Sequence, residues 1–286
     1  MKSLTPFGVR DLVPEEAERL QKIFRKFKHI FEKWQYQKII TPSIEYYHTL
    51  EKGMGDSLKE RSVKFFDASG QLVILRPDHT TPIARIVASS LTQEPMPLKL
   101  FYLDSVFRTQ NEDHEQEMET FQAGVELIGR SGPEAEAEVL MICIEAILKL
   151  GYTDFGIDIG HTLFTDSLTE DQKNALLIGD YVSFGDIPAR GGVELVQDYP
   201  DLVKIHEILK SHNMDQYVTF NRGLCEEISY YTGVIFECYV KGIGKILGSG
   251  GRYDTLLGKF GFETPAVGFA FNVTHLFDHH YMKANL

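Results

Sequence analysis

The sequence contains little cysteine and no long hydrophobic run. Its three cysteines, Cys143, Cys225 and Cys238, form no CxxC pair and leave an odd number, which predicts free thiols in a reducing cytoplasm. The apolar runs are only as long as β-strands, so none is expected to span a bilayer. The first sixteen residues include no apolar stretch, and we therefore expect no secretory signal. These features predict a cytoplasmic protein.

Positive charge is also scarce. The 286 residues include 29 Lys and Arg against 41 Asp and Glu, a net charge of −12. This balance argues against a protein whose main role is to bind nucleic acid, although it leaves room for a local basic cleft. With 43% hydrophobic and 24% charged residues, the composition is that of an ordinary globular protein. A chain of this length forms one large domain or two modest ones.

Two segments have the pattern of helices. From Glu15 to Trp34, apolar residues recur at steps of three and four, and Pro14 precedes them at a position where its missing N–H costs little. A second helix is predicted from about Pro133 to Leu150, with acidic residues in its first turns and Gly151 as its C-terminal cap.

The remaining apolar runs are short and rich in β-branched or aromatic residues, which predicts strands. They are clustered instead of alternating with helices, so the predicted fold class is α+β, a mostly antiparallel sheet flanked by helices. A polar, helix-rich stretch from about 165 to 217 is predicted to be a compact insertion in a single domain spanning 1–286. The predicted strands are 72–75, 98–103, 121–128, 155–159, 234–240, 246–248 and 266–271.

Two segments suggest a polar pocket. Residues 75–81, LRPDHTT, form a charged and hydroxyl-rich turn after an apolar strand, which is typical of a ligand-facing turn. The alternative is a helix N-terminus capped by Asp78 or Thr80. Farther along, Gln122, Gly124 and Glu126 share one strand face. They line a pocket in which the glycine leaves room for a ligand, or they lie on a solvated sheet face.

The loop 111–119 contains five acidic residues and no basic one. Such a loop repels a triphosphate. Its cluster Glu112, Asp113, His114 and Glu115 is a conceivable metal site, but the spacing matches neither a zinc nor a calcium motif, which favours a solvated hairpin.

Three further features carry weaker signals. Tyr230 and Tyr231 enter a predicted strand, which would direct their rings to opposite faces. The glycines of 248–251 match no phosphate-binding motif and favour a turn that leads into a helix. The pair His279-His280 is predicted to lie in an exposed tail and not to bind metal.

In this order, the segments resemble the catalytic core of class II aminoacyl-tRNA synthetases, and specifically the histidyl-tRNA synthetase family. The resemblance covers nearly the whole chain, and its motifs are specific only as a set. The matching segments are 6–16 (the family's PxGxRDxxPxE), 39–45 (motif 1, which forms the dimer), 75–80 (the LRPEGT turn), 107–126 (motif 2, ending FHQxGxE), 230–233 (YYTG), and 250–254 with 266–270 (the start of motif 3).

Several positions depart from the active enzymes of that family. His275 stands where the motif 3 arginine that contacts ATP is expected, and an ungapped comparison places Glu226 at the activating arginine. Gln110 replaces a motif 2 glutamate, and the basic loop that follows in the active enzymes is acidic here. We expect no anticodon-binding domain, because only about fifteen residues follow the last predicted strand. Activation of an amino acid by ATP requires cations, so these changes predict an inactive core.

The amino-acid half of the family's pocket is retained, and the resemblance implies that it binds L-histidine. Glu126 and one tyrosine would hold the imidazole N–H groups, Asp78 the α-ammonium group, and Arg108 or Gln122 the α-carboxylate. The implied ligand-binding residues are Asp78, Thr80, Arg108, Gln122, Glu126, Tyr230 and Tyr231.

A core of this kind is similar to the regulatory-subunit branch of the family, which serves ATP phosphoribosyltransferase. That resemblance implies a non-catalytic chain with no cofactor or metal of its own, self-association through motif 1, and no tRNA or membrane partner. It further implies a hetero-octamer with a short-form catalytic subunit that performs the first step of histidine biosynthesis under feedback inhibition by histidine. The alternatives are a truncated histidyl-tRNA synthetase or another ATP-dependent amino-acid ligase, and an unrelated α+β enzyme.

Overall fold

A computed structural model describes residues 5–109, 117–166, 168–185, 187–225 and 230–284, with side chains described up to residue 279. In these ranges no helix is long and apolar enough to cross a bilayer. The helices are α1 (Pro14–Lys33), α2 (Tyr47–Leu50), α3 (Asp56–Glu60), α4 (Thr80–Ser90), α5 (Pro133–Leu150), α6 (Glu170–Leu177), α7 (Tyr181–Phe184), α8 (Pro200–Ser211) and α9 (Val273–Ala284).

Both predicted long helices are confirmed, and their ends have local causes. Pro14 opens α1, and the Glu16 carboxylate accepts a hydrogen bond from the Val13 N–H at 3.0 Å, which satisfies one exposed donor of the helix start. Helix α5 begins at Pro133 and ends at Leu150, and it is capped by Gly151, whose φ of 100° is a left-handed conformation that glycine adopts easily.

The strands form one large sheet and one small sheet. The large sheet has the order β1-β5-β6-β12-β11-β10-β7-β9-β8, and all its pairs are antiparallel except β1 with β5 and β7 with β9. The small sheet has the antiparallel order β2-β4-β3. The strands are β1 (Gln37–Lys38), β2 (Ile44–Tyr46), β3 (Lys64–Phe66), β4 (Leu72–Leu75), β5 (Leu98–Phe107), β6 (Glu119–Ile128), β7 (Phe155–His161), β8 (Arg190–Gly191), β9 (Val218–Asn221), β10 (Val234–Val240), β11 (Gly248–Arg252) and β12 (Ala266–Asn272).

The glycine-rich segment is where the sequence prediction is wrong. Residues 248–252 form the strand β11 in the middle of the sheet, whereas the sequence favoured a turn there and a strand at 246–248. A β-carbon at Gly250 would collide with the Gly268 carbonyl oxygen and with the Phe236 ring. Glycine is therefore used because the neighbouring strands and their aromatic rings approach the backbone closely.

The two faces of the large sheet have different partners. Helices α1, α5 and α8 cover one face, where Phe101 and Val125 join the main core. Their chain neighbours Tyr102 and Glu126 point to the other face, because successive strand residues alternate. Helix α4 packs on that second face through Ile83, Ala84 and Val87. This second face contains the candidate site.

The segment 165–217, predicted to be an insertion, lies between β7 and β9. It contains α6, α7 and α8 together with β8, which joins the edge of the large sheet. Leu202, Ile205 and Leu209 of α8 are fully buried in the main core. The segment is thus attached to the sheet through both β8 and α8.

Candidate functional site

The second face of the large sheet contains an open cavity of about 180 Å³. Its walls come from β6, β11 and β12, from the turn before α4, and from the segment before β10. All the residues that the sequence assigned to a ligand site line this one cavity: Asp78, Thr80, Arg108, Gln122, Glu126, Tyr230 and Tyr231.

Asp78 caps a helix, which is one of the alternatives that the sequence left open, and it also lines the cavity. Its carboxylate accepts hydrogen bonds from the Thr81 N–H at 3.3 Å and from the Thr81 hydroxyl at 2.9 Å, so it caps the start of α4. The same side chain lines the cavity and is only 6% exposed. Burial raises the pKa of Asp78 above its usual value.

Glu126 is the most deeply buried acid of the site. It accepts hydrogen bonds from the Thr80 hydroxyl at 2.8 Å and from the Tyr253 hydroxyl. Burial raises the pKa of Glu126 to about 8 in spite of these bonds, so the carboxyl group is mostly protonated at neutral pH. A β-carbon at Gly268, the residue opposite Glu126 on β12, would collide with the carboxyl group. Gly268 therefore provides the space that Glu126 occupies.

Tyr102, Tyr253 and His79 were not predicted as site residues, yet they line the cavity. The His79 ring stacks on the Tyr102 ring with centroids 4.2 Å apart. Burial lowers the pKa of His79 to about 3, so its imidazole is neutral. Pairing of the runs near 98–107 and 119–128 as a hairpin would have placed Tyr102 opposite Gly124 and revealed its position.

Two expectations about individual residues are wrong. The Tyr230 and Tyr231 rings do not point to opposite faces: their centroids are 5.2 Å apart, and both rings line the cavity. These residues precede β10, so the alternation of a strand does not apply to them. Gly124 does not leave room for a ligand, because its missing side chain is replaced by the ring of Tyr102.

Arg108 and Gln122 are half-buried on the cavity wall. The Arg108 guanidinium donates to the Pro77 carbonyl through Nε at 2.7 Å, which fixes it beside the turn that contains Asp78. Within the described ranges, Arg108 is the one lysine or arginine that lines the cavity. The arrangement therefore has one permanent cation for an anionic ligand group and two buried carboxyl groups for cationic or N–H groups.

His275 lines the cavity at the end formed by Asn272. Its backbone N–H donates to the Asn272 side chain at 3.2 Å, and its Nδ1 lies 3.2 Å from the Ile246 carbonyl oxygen. Asn272 pairs with Gln122 across β12 and β6, whereas Gly268 pairs with Glu126. Four residues along a strand separate these pairs, a distance of about 13 Å.

His279, the first residue of the terminal histidine pair, is placed differently from the prediction. His279 is 7% exposed within α9, and its Nδ1 lies 3.0 Å from the Tyr152 hydroxyl, because α9 packs back onto the main core. The side chain of His280 lies outside the described part, as do Gln110, Glu226 and the loop cluster Glu112, Asp113, His114 and Glu115. In the ranges that the structure covers, no three His, Cys, Asp or Glu side chains are grouped as metal ligands.

The fold and the cavity together define a class II aminoacyl-tRNA synthetase core. A sequence model of the histidyl-tRNA synthetase family matches residues 8–176 and 189–276. A solved structure from Bacillus halodurans, titled as an ATP phosphoribosyltransferase regulatory subunit/histidyl-tRNA synthetase, superposes with a TM-score of 0.86 at 32% identity. That comparison covers 98% of this chain and 83% of the other.

Curated relatives place the chain in one group within the histidyl-tRNA synthetase family. The ATP phosphoribosyltransferase regulatory subunit of Thermoanaerobacter pseudethanolicus is 36% identical over 94% of this chain and 80% of its own length. The protein of the same name from Halothermothrix orenii is 34% identical over 94% of this chain and 74% of its own length. The chain therefore belongs to the histidyl-tRNA synthetase family and, within it, to the group of ATP phosphoribosyltransferase regulatory subunits.

Proposed function

We propose that this chain is a non-catalytic regulatory subunit of ATP phosphoribosyltransferase that binds L-histidine in the cavity described above. The observation that carries the proposal is the pair of buried carboxyl groups, Asp78 and Glu126, on the wall of one small polar cavity. The cavity volume of about 180 Å³ lies below the roughly 300–1,000 Å³ typical of sites for drug-sized ligands, which favours a ligand the size of one amino acid.

The side chains of the cavity match the groups of histidine. The Glu126 carboxyl group forms a hydrogen bond with one imidazole nitrogen, and the hydroxyl of Tyr230 or Tyr253 forms a hydrogen bond with the other. Asp78 pairs with the α-ammonium group, and Arg108 or Gln122 binds the α-carboxylate. Each charged group of the amino acid thus meets a partner of opposite charge or a hydrogen-bonding group, which a buried charged ligand requires.

The same cavity is poorly suited to ATP chemistry. His275 lies where active family members carry the arginine of motif 3, and its imidazole is held by Asn272 and the Ile246 carbonyl. Loss of one preorganised electrostatic group typically costs about 10²–10³ in rate. The chemistry, ATP plus phosphoribosyl pyrophosphate, then belongs to the partner subunit, and we propose no cofactor for this chain.

The partner is a short-form catalytic subunit, and the assembly we propose is a cytoplasmic hetero-octamer without tRNA or membrane. Feedback inhibition requires that histidine favour one state of the assembly over another. Such a coupling between two sites is typically about 1–3 kcal/mol. The buried thiols of Cys143 and Cys238 support a reducing compartment.

Self-association is proposed through the segment around Pro42. Ile40, Ile44 and Phe66 are 69%, 51% and 72% exposed, an apolar surface that a second copy would cover. Helix α1 offers less to this interface, because its apolar residues are buried against the large sheet and only its charged face is available. We expect a dimer in sedimentation at micromolar concentration, and a monomer would contradict this interface.

The test of the function joins two measurements on the purified chain. Calorimetric titration should detect histidine binding, whereas ATP–pyrophosphate exchange with histidine should stay at background, with an active histidyl-tRNA synthetase as the positive control. Exchange at the rate of that control would favour the truncated synthetase instead. Absence of histidine binding would remove the proposed role of the cavity.

A further inference from the structure

A second groove lies on the other face of the large sheet, between α1, the end of α5 and α9. It has a volume of about 490 Å³, and its floor is formed by the buried apolar side chains Ile23, Leu150 and Phe277. Its rim is cationic, with Lys22, Lys26 and Lys149 exposed around that floor. Further rim residues are Arg19, Arg25 and His29.

This rim contrasts with the rest of the protein. The chain carries a net charge of −12, but none of the carboxylates in the described part of the chain lines the groove. Arg19 and Arg25 form ion pairs with acids of α1, whereas no ion pair of Lys22, Lys26 or Lys149 occurs within the described ranges. Concentrated positive charge on an acidic protein creates a local field that attracts an acidic partner.

We infer that this groove docks an acidic segment of the catalytic subunit that carries an apolar side chain, and the inference rests on the proposed function. The apolar floor accepts a side-chain anchor of the kind found at the centre of protein interfaces, and the lysines form the polar rim. Nucleic acid fits less well, because it needs no apolar floor and the chain as a whole repels it.

A second copy of this chain is also a weaker choice as the occupant. The exposed apolar side chains proposed above for self-association belong to the small sheet and the segment before it. Among the described residues, no exposed large apolar side chain lines the groove. The groove therefore remains accessible in the dimer proposed above.

The experiment uses the double variant Lys22→Glu/Lys26→Glu and measures its association with the purified catalytic subunit at low and high salt. Both lysines are exposed, so we expect normal thermal unfolding. The association rate constant should fall at least about tenfold at low salt, and its salt dependence should weaken. The matched control is Lys210→Glu/Lys259→Glu, which makes the same charge change on exposed lysines elsewhere and should associate like the wild type.

The outcomes separate the two proposals. If the wild type associates but the groove variant does so equally fast and with the same salt dependence, the groove is not the docking surface and the proposed function stands. If the wild type itself neither binds nor activates the catalytic subunit, the proposed function and this inference both fail. Binding of a labelled single-stranded RNA that is lost only in the groove variant, with subunit association unchanged, would assign the groove to nucleic acid.

Discussion

The two ends of the cavity are built differently. At the carboxylate end, defined by Asp78, Thr80, Glu126 and Tyr253, the side chains are held by hydrogen bonds to one another or to the helix start. At the His275 end, defined by Asn272 and His275, the side chains bond to each other and to the backbone of the loop before β11. The first end contains the carboxyl groups that we propose for amino-acid binding, whereas the second contains His275, where the family resemblance leads us to expect the arginine of motif 3.

Under the proposed function, this difference is what turns a catalytic core into a binding module. Recognition of an amino acid needs a few fixed partners, which the helix start and β6 supply through backbone geometry. Catalysis also needs cations where charge develops. Under the proposed function, replacement of groups at one end of the cavity would remove the reaction and leave binding at the other end.

The largest effect is expected from Asp78→Asn. Asparagine keeps a side-chain oxygen that can accept the hydrogen bond from the Thr81 N–H, so α4 should still begin at residue 80. The α-ammonium group of histidine would lose its charged partner in a buried site, which typically costs about 2–5 kcal/mol. Calorimetric titration of histidine should show this loss. An unchanged affinity would mean that Asp78 only caps the start of α4 and does not bind the ligand.

The pH dependence of stability tests the burial of Glu126. Its pKa is about 8 in the folded chain against the usual 4.5, so folding favours the protonated form. The stabilisation is complete below pH 4.5 and is lost as the pH rises towards 8, by about 1.4 kcal/mol per unit. From pH 5.5 to 7.5, the free energy of unfolding of the wild type, measured with denaturant, should fall by up to about 3 kcal/mol relative to that of Glu126→Gln. If the free energies of unfolding of the two proteins change with pH in parallel, the Glu126 carboxyl group is not desolvated.

Glu126→Ala should weaken histidine binding by about 1–3 kcal/mol, because an imidazole N–H loses its partner in the buried part of the cavity. Glu126→Gln retains a hydrogen-bonding group of the same size and should lose less. Titrations of both variants, with circular dichroism to check folding, measure the difference. Equal losses in the two variants would contradict a hydrogen-bonding role.

The smallest effect is expected at the other end. His275→Ala should change histidine affinity by less than about 0.5 kcal/mol, since no group of the ligand is assigned to His275, whose imidazole bonds to Asn272 and to the Ile246 carbonyl. The same titration measures it. A loss as large as that of Glu126→Ala would mean that histidine spans the whole cavity.

The sequence predicted much of this fold because strong local signals exist for some elements. Helix α1 has an apolar periodicity and a proline start, and helix α5 has acidic first turns and a glycine after its end; these are local properties. The strand β11 has no such signal. Its glycines are dictated by the close approach of Phe236 and β12, which depends on a pairing that no short segment encodes.

The candidate site was also predicted only in part, because strand pairing cannot be read from short segments. Asp78, Glu126 and Arg108 were found through motif order, and all of them line one cavity. Tyr102 and Tyr253 were missed because their contact with the cavity depends on which strand pairs with which. The expected split of Tyr230 and Tyr231 failed for a related reason, since the strand begins after them.

The most direct test of the central claim is histidine inhibition of the reconstituted complex of this chain with the catalytic subunit. For wild type and Glu126→Ala, the phosphoribosyl transfer rate is measured over a range of histidine concentrations. The account predicts that both complexes assemble and are active, and that the variant needs roughly 5–150 times more histidine for half-inhibition, a loss of about 1–3 kcal/mol. Inhibition of the variant at the wild-type concentration would show that histidine acts at another site.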